Sequence, residues 1–160
     1  MVRALGRVVS KADSILLIDD EPSVCDALGI VLFDHGYKVE VAQNGREGIE
    51  AAGREEFSLV ITDLRLPDMS GLDVLRQIKI KNHACPVIVI TAHGTPDLIV
   101  ELKRIGALEV LAKPFSPAEI LSLIKTALER VASCETVSEK PCQALDHTGG
   151  LVTHGETPCA

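Results

Sequence analysis

The sequence predicts an α/β fold in which five parallel strands, in the order 2-1-3-4-5, are covered by helices on both faces. The first observation is alternation: from residue 15 to residue 131, short β-branched runs bounded by breakers exchange with stretches of helical spacing. The second is that three of the runs are apolar nearly throughout, which suits strands buried on both faces of a parallel sheet. The strand segments are Ser14–Ile18, Tyr37–Val41, Ser58–Thr62, Pro86–Thr91 and Ala107–Ala112. After the first comes a helix marked by Val24, Leu28, Val31 and Leu32. The second carries Ile49 and Ala52, the third Leu72, Leu75 and Ile78, and the fourth Leu98, Leu102 and Ile105. The fifth shows Ile120, Leu123, Ile124, Ala127, Leu128 and Val131. Helix starts are marked too. Ser116-Pro117-Ala118-Glu119 is a capping box with Pro at the first helical position, and Asn44 and Thr95 offer similar caps.

Five β–α repeats with right-handed crossovers place helices on both sheet faces, a flavodoxin-like, doubly wound (βα)5 arrangement. Residues 14–132 are expected to form this domain. Residues 1–13 and 133–160 are expected to be flexible segments, because they lack sustained periodicity, and the latter contains two prolines and paired Gly149-Gly150. Cys134, Cys142, His147, His154 and Cys159 match no familiar metal-site spacing and read as solvated tail.

Composition narrows the function. The 160 residues carry a formal net charge of −7, and the sequence pI is about 5.2. Such a balance repels phosphate backbones and argues against direct nucleic-acid binding. Aromatics make up 2 %, with no Trp, so stacking platforms for unpaired bases are nearly absent. Five widely spaced cysteines without Cys-x-x-Cys pairs fit a reduced, cytoplasmic setting. No run of about 18 apolar residues suggests a membrane span, and residues 1–14 hold no secretory h-region.

Open α/β sheets bind ligands outside the carboxyl ends of their strands. There the sequence places Asp19-Asp20-Glu21 after the first strand, Thr62-Asp63 at the end of the third, Thr91-Ala92 after the fourth and Lys113-Pro114 after the fifth. An acidic pair before Pro22 also suits a helix N-cap, and a lone Lys also suits the surface. Their coincidence favours a site. Three convergent carboxylates and one ammonium leave two negative charges, which a hard divalent cation such as Mg²⁺ would neutralise, with phosphate oxygens completing its shell. Asp63 then suits a carboxylate nucleophile forming an acyl phosphate, with Mg²⁺, Lys113 and Thr91 stabilising the transferred oxygens.

These residues resemble response-regulator receiver domains of two-component signalling. Asp19-Asp20-Glu21-Pro22, Thr62-Asp63-Leu64-Arg65-Leu66-Pro67-Asp68-Met69-Ser70-Gly71-Leu72, Ile90-Thr91-Ala92-His93-Gly94 and Lys113-Pro114-Phe115 stand in that family's order and spacing, over about residues 14–132. The resemblance implies that Asp63 is the phosphoacceptor, and that Asp20 and Asp63 ligate Mg²⁺ directly with the backbone carbonyl of Arg65, while Asp19 acts mainly through bound water. It further implies that Thr91 contacts the phosphoryl group, that Lys113 pairs with it, and that the Lys113–Pro114 bond is cis, aiming the lysine inward. Gly71 is expected to permit the turn opening the third helix, although a plain helix-start glycine is the alternative. The donor would be a sensor histidine kinase or histidine phosphotransfer protein. Output would pass to a downstream protein, with a homodimer through helix 4, strand 5 and helix 5 as a further expected contact.

One departure matters. Most of the family carries Tyr or Phe three residues before the Lys, a ring that swings inward on activation. Here that residue is Val110, short and stiff at χ1. Arg65 and His93 stand where side chains shield or guide attacking water, or else are solvated rim residues. The leading expectation is a stand-alone phosphorylation-dependent switch or relay intermediate, without enzymatic activity beyond assisting its own phosphorylation and dephosphorylation. A module that keeps the fold without switching is the second reading. An aspartate-nucleophile phosphatase would need an acid where Arg65 stands, and a flavin-binding flavodoxin would have its phosphate repelled by Asp19 and Asp20.

Overall fold

In the computed structural model, residues 13–135 are described. The elements run β1 (Ser14–Ile18), α1 (Pro22–Asp34), β2 (Lys38–Ala42), α2 (Gly45–Arg54), β3 (Leu59–Asp63), α3 (Gly71–Lys81), β4 (Val87–Thr91), α4 (Pro96–Ile105), β5 (Glu109–Ala112) and α5 (Pro117–Glu135). The sheet order is β2-β1-β3-β4-β5 and every pairing is parallel, as the sequence predicts. Strand limits differ from expectation by one or two residues. Asp63 and Ala42 belong to their strands, and β5 starts at Glu109, because Leu108 spends its amide on the Val87 carbonyl before regular pairing begins. The last helix runs three residues past 132. No proline interrupts the chain between Pro117 and Pro141. The remaining expected flanking segments, 1–12 and 136–160, lie outside the described residues, as do Cys142, His147, His154, Cys159 and the side chain of Cys134.

Strand alternation divides the interior into two layers, since successive side chains point to opposite faces. Leu16, Ile18, Val60, Val87 and Val89 join Val74, Leu75, Ile78 and Leu102 in one core. Ile15, Leu17, Leu59, Ile61, Ile88 and Ile90 join Leu28, Leu32, Ile120 and Ile124 in the other. Each fully buried Leu or Ile contributes about 1.5–3 kcal/mol relative to exposure, so these two layers fix where the strand ends sit. α4 buries only Leu102 fully, and Val110 of β5 is half-buried against the same layer.

The caps act as anticipated at three starts. Ser116 and Glu119 exchange bonds, Glu119 N donating to Ser116 Oγ (3.2 Å) and Ser116 N to Glu119 Oε2 (2.6 Å). Asn44 accepts from Glu47 N (2.9 Å) and Thr95 from Leu98 N (3.3 Å). α1 differs: Glu21 occupies the N-cap yet its side chain makes no cap bond. The acidic run before Pro22 therefore does something other than capping.

Candidate functional site

The last residues of β3 and β4 and the residues just after β1 and β5 meet at one edge of the sheet. Asp19 follows β1 and is anchored by its amide to the Ala42 carbonyl (3.1 Å). Its side chain is 1 % exposed; Oδ1 accepts from the Glu21 amide (2.9 Å) and Oδ2 from Lys113 Nζ (3.2 Å). Asp63 closes β3 opposite Ile90. It is buried, with Oδ1 accepting from the Arg65 amide (2.9 Å) and Oδ2 from Lys113 Nζ (2.5 Å). Thr91 closes β4, also buried, and its Oγ1 accepts from the His93 amide (3.1 Å). Its carbonyl accepts from the Lys113 amide (2.8 Å). The Lys113–Pro114 bond is cis.

One ammonium thus serves two buried carboxylates. Burial raises the Asp19 pKa above its ordinary value, against the lowering effect of the Glu21 amide and Lys113. For Lys113, burial works downward, but the hydrogen bond and charge of Asp63 and the charge of Asp19 outweigh it and raise the pKa. The ammonium is therefore held charged where a transferred anionic group would need it.

Asp20 is exposed and is not among the carboxylates paired with Lys113. The three-carboxylate convergence anticipated from sequence is not assembled: among the described residues no three His, Cys, Asp or Glu side chains form a group able to hold a metal. By chemical type the donors fit Mg²⁺, since carboxylates and a backbone carbonyl are hard oxygen ligands. Arg65 and His93 are both exposed, and what each brings to Asp63 or Thr91 is its backbone amide. Local side-chain patterns do not reveal that contribution.

Gly71 has a different role from the one expected. Its backbone is not left-handed; the need is for close approach. A methyl group there would fall on the Asp63 carbonyl oxygen and lie 2.7 Å from Leu64 Cα. The Gly71 amide also donates to the Leu64 carbonyl (2.7 Å), closing an antiparallel bridge between Arg65 and Ser70.

Asp68 stands in the motif around Asp63, but the sequence assigns it no role of its own. Its carboxylate accepts from the amides of Gly45 (2.8 Å) and Arg46 (2.9 Å) at the start of α2. Desolvation is the largest single influence and opposes ionisation, but the amides of Arg46, Gly45, Asp68 itself and Met69 together outweigh it and lower the pKa. A Pro-Asp pair reads locally as a turn, and nothing in it announces a partner more than twenty residues back.

An apolar groove of about 470 Å³ opens beside Lys113, lined by Val24, Ala27, Leu28, Val31, Pro114 and Phe115 among others. A larger cavity, about 680 Å³, lies among Arg54–Phe57, Lys81 and Cys85 and contains none of these site residues. Among the described residues no helix is long and apolar enough to cross a membrane.

Comparison with known proteins gives a consistent picture. The model of the response regulator receiver domain matches residues 15–125. The chain is 34 % identical over 136 residues to the transcriptional regulatory protein ZraR of Klebsiella oxytoca, covering 84 % of this chain and 31 % of that protein. It is 38 % identical over 113 residues to the response regulator protein PilR of Pseudomonas aeruginosa, covering 71 % of this chain and 25 % of that one. This chain therefore spans about a third or less of these two relatives. Among solved structures, a CheY-like response regulator receiver domain protein from Methanospirillum hungatei superposes with a TM-score of 0.75 at 28 % identity, covering 77 % of this chain and 98 % of that one.

Proposed function

The chain belongs to the response regulator receiver domain family of two-component systems, and on that premise we propose that Asp63 accepts a phosphoryl group from a phosphohistidine. The observation that carries this reading is the placement of the Asp63 carboxylate at the end of β3 between the Arg65 amide and the Lys113 ammonium. A carboxylate oxygen of Asp63 attacks phosphorus, forming the O–P bond of an acyl phosphate as the N–P bond to imidazole breaks. Lys113 follows the negative charge from the Asp63 oxygen onto the phosphoryl oxygens. Thr91 Oγ1 accepts from His93 and so has its own proton to donate to a phosphoryl oxygen.

Mg²⁺, held by Asp20, Asp63 and the Arg65 carbonyl with Asp19 acting through water, would neutralise the same oxygens. Asp19 additionally keeps the Lys113 ammonium aimed at Asp63. Exposed Arg65 and His93 flank the site and tune how fast water removes the phosphoryl group.

The donor is a sensor histidine kinase or a histidine phosphotransfer protein, and the apolar groove beside Lys113 suits a partner helix approaching Asp63. Output runs through protein contacts, a reading supported by the acidic balance of the chain. Val110 lacks the bulk to swing between packed and open rotamers, so the face of α4, β5 and α5 responds by a backbone shift or a change in dimerisation. Free and phosphorylated structures with no movement there would remove this last point.

The test is incubation of wild type and Asp63→Asn with a small acyl-phosphate donor, with and without Mg²⁺, followed by intact mass. A Mg²⁺-dependent phosphoryl adduct on wild type alone is expected. No adduct from the acyl phosphate or from a phosphorylated kinase would favour a module that binds its partner unmodified.

A further inference from the structure

The loop that carries Asp63 and Arg65 into α3 is held from outside by one residue that takes no part in the chemistry. We propose that Asp68 is a positioning residue for the phosphoacceptor loop, clamping it to the start of α2 and so fixing the Arg65 backbone against Asp63.

Two anchors hold the near and far ends of this loop. Asp63 is fixed by its β4 register and by Leu64 N donating to the Ile90 carbonyl (2.8 Å), and Gly71 is pressed against the Asp63 backbone. Between them, Leu66–Ser70 projects outward. Asp68 ties that projection down with two bonds of a single carboxylate, one oxygen to each of the first two amides of α2. Those amides have no partner within the helix, and the anion also meets the positive end of the helix dipole. Met69 completes the clamp: a Cβ at Gly45 would strike its side chain, 2.7 Å from Sδ. The clamp thus joins the loop to an element that itself carries no site residue.

The consequence falls on Arg65. Its amide reaches Asp63 Oδ1, and its carbonyl is the one proposed to ligate Mg²⁺. Both depend on the path of the loop three residues later. Releasing Asp68 lets Leu66–Met69 relax, and Arg65 loses its aim at both groups.

Asn44 supplies the control, since its side chain caps the same helix by accepting from Glu47 N, a bond internal to α2 and its cap. The experiment compares Asp68→Ala with Asn44→Ala in the full chain, measuring urea midpoints, amide hydrogen exchange at Arg65 without Mg²⁺, and the Mg²⁺ concentration for half-maximal phosphorylation by a small acyl phosphate. Both variants should lose stability. Only Asp68→Ala should speed Arg65 exchange by about 10-fold and raise the required Mg²⁺ by about 10-fold, the scale on which partners of metal ligands act. Equal effects in Asn44→Ala, or unchanged Arg65 exchange in Asp68→Ala, would overturn the proposal. The Mg²⁺ arm rests on Asp63 being the phosphoacceptor, whereas the exchange arm does not. If wild type took no phosphoryl group, that reading would fail alone, and Arg65 exchange would still decide the role of Asp68.

Discussion

Replacing Gly71 with Ala should destabilise and misalign the protein, whereas the same change at Gly29 should stabilise it. Both glycines lie in helices, Gly71 at the first position of α3 and Gly29 inside α1. On helix propensity alone each substitution gains up to about 1 kcal/mol. At Gly29 nothing lies within 4 Å of the added methyl, so the gain of about 0.5–1 kcal/mol should appear in full. At Gly71 the methyl meets the Asp63 carbonyl oxygen, with Leu64 Cα at 2.7 Å and the Asp63 carbonyl carbon at 3.0 Å. These are main-chain atoms that no rotamer change can move. Overpacking of this kind costs about 1–3 kcal/mol, and rigid neighbours place it at the upper end, leaving a net loss of about 2 kcal/mol after the propensity gain. The two variants should therefore differ by about 2.5–3 kcal/mol in urea unfolding followed by circular dichroism. Displacement of the Asp63 carbonyl should also slow acyl-phosphate labelling of the still-folded Gly71→Ala protein by ~10²-fold, the scale of a ~1 Å misplacement. A Gly71→Ala protein as stable as Gly29→Ala and labelled at the wild-type rate would refute the close-packing argument.

Three further outcomes follow from the same geometry. Lys113→Ala leaves the two carboxylates of Asp19 and Asp63 without their shared ammonium, which should destabilise the metal-free protein by about 3 kcal/mol at neutral pH; Asp19→Asn in the same chain should recover much of it, read from urea midpoints. Burial pushes the Cys85 thiol up from an ordinary 9.0 to about 11, so the native state keeps a proton that the unfolded chain has released between those values. That contribution is intact below pH 9 and is lost as the pH rises to about 11, on the order of 2–3 kcal/mol, and Cys85→Ala should flatten this fall in a pH series of unfolding curves. Separate Arg65→Ala and His93→Ala substitutions should change the lifetime of the phosphorylated form by several-fold or more, followed by loss of the mass adduct; identical lifetimes in both would remove these side chains from water control.

Much of the architecture was legible because the information is local. Period-two and period-3.6 patterns identify strands and helices, and Ser116 with Glu119 marks a start within four residues. The site was legible for a related reason: in a parallel sheet the residues ending separate strands converge, so Asp19, Asp63, Thr91 and Lys113 can be found without knowing a single distance. What remained hidden depends on contacts between distant backbones. Gly71 looked like a turn glycine, and only the proximity of Asp63 reveals the missing Cβ as the point. Asp68 acts on amides of another helix, Arg65 acts through its own amide, and Glu21 fills a cap position without capping. Asp20 is a further example, for it is adjacent in sequence to buried Asp19 and yet exposed.

The amide of Lys113 is bonded to the carbonyl of Thr91, and this makes a yoke of two groups that are otherwise independent. Whatever acts on the Thr91 hydroxyl and whatever acts on the Lys113 ammonium pull on the same rung of the sheet. Val110 lies three residues upstream of Lys113, half-buried in the strand that forms the sheet's edge, which among the described residues pairs only with β4. A tug at either side chain therefore travels along one strand with a single neighbour to resist it. Were the proposed phosphorylation to act without the usual swinging ring, the edge strand would be the part to move, and its outer margin is where that movement should be sought.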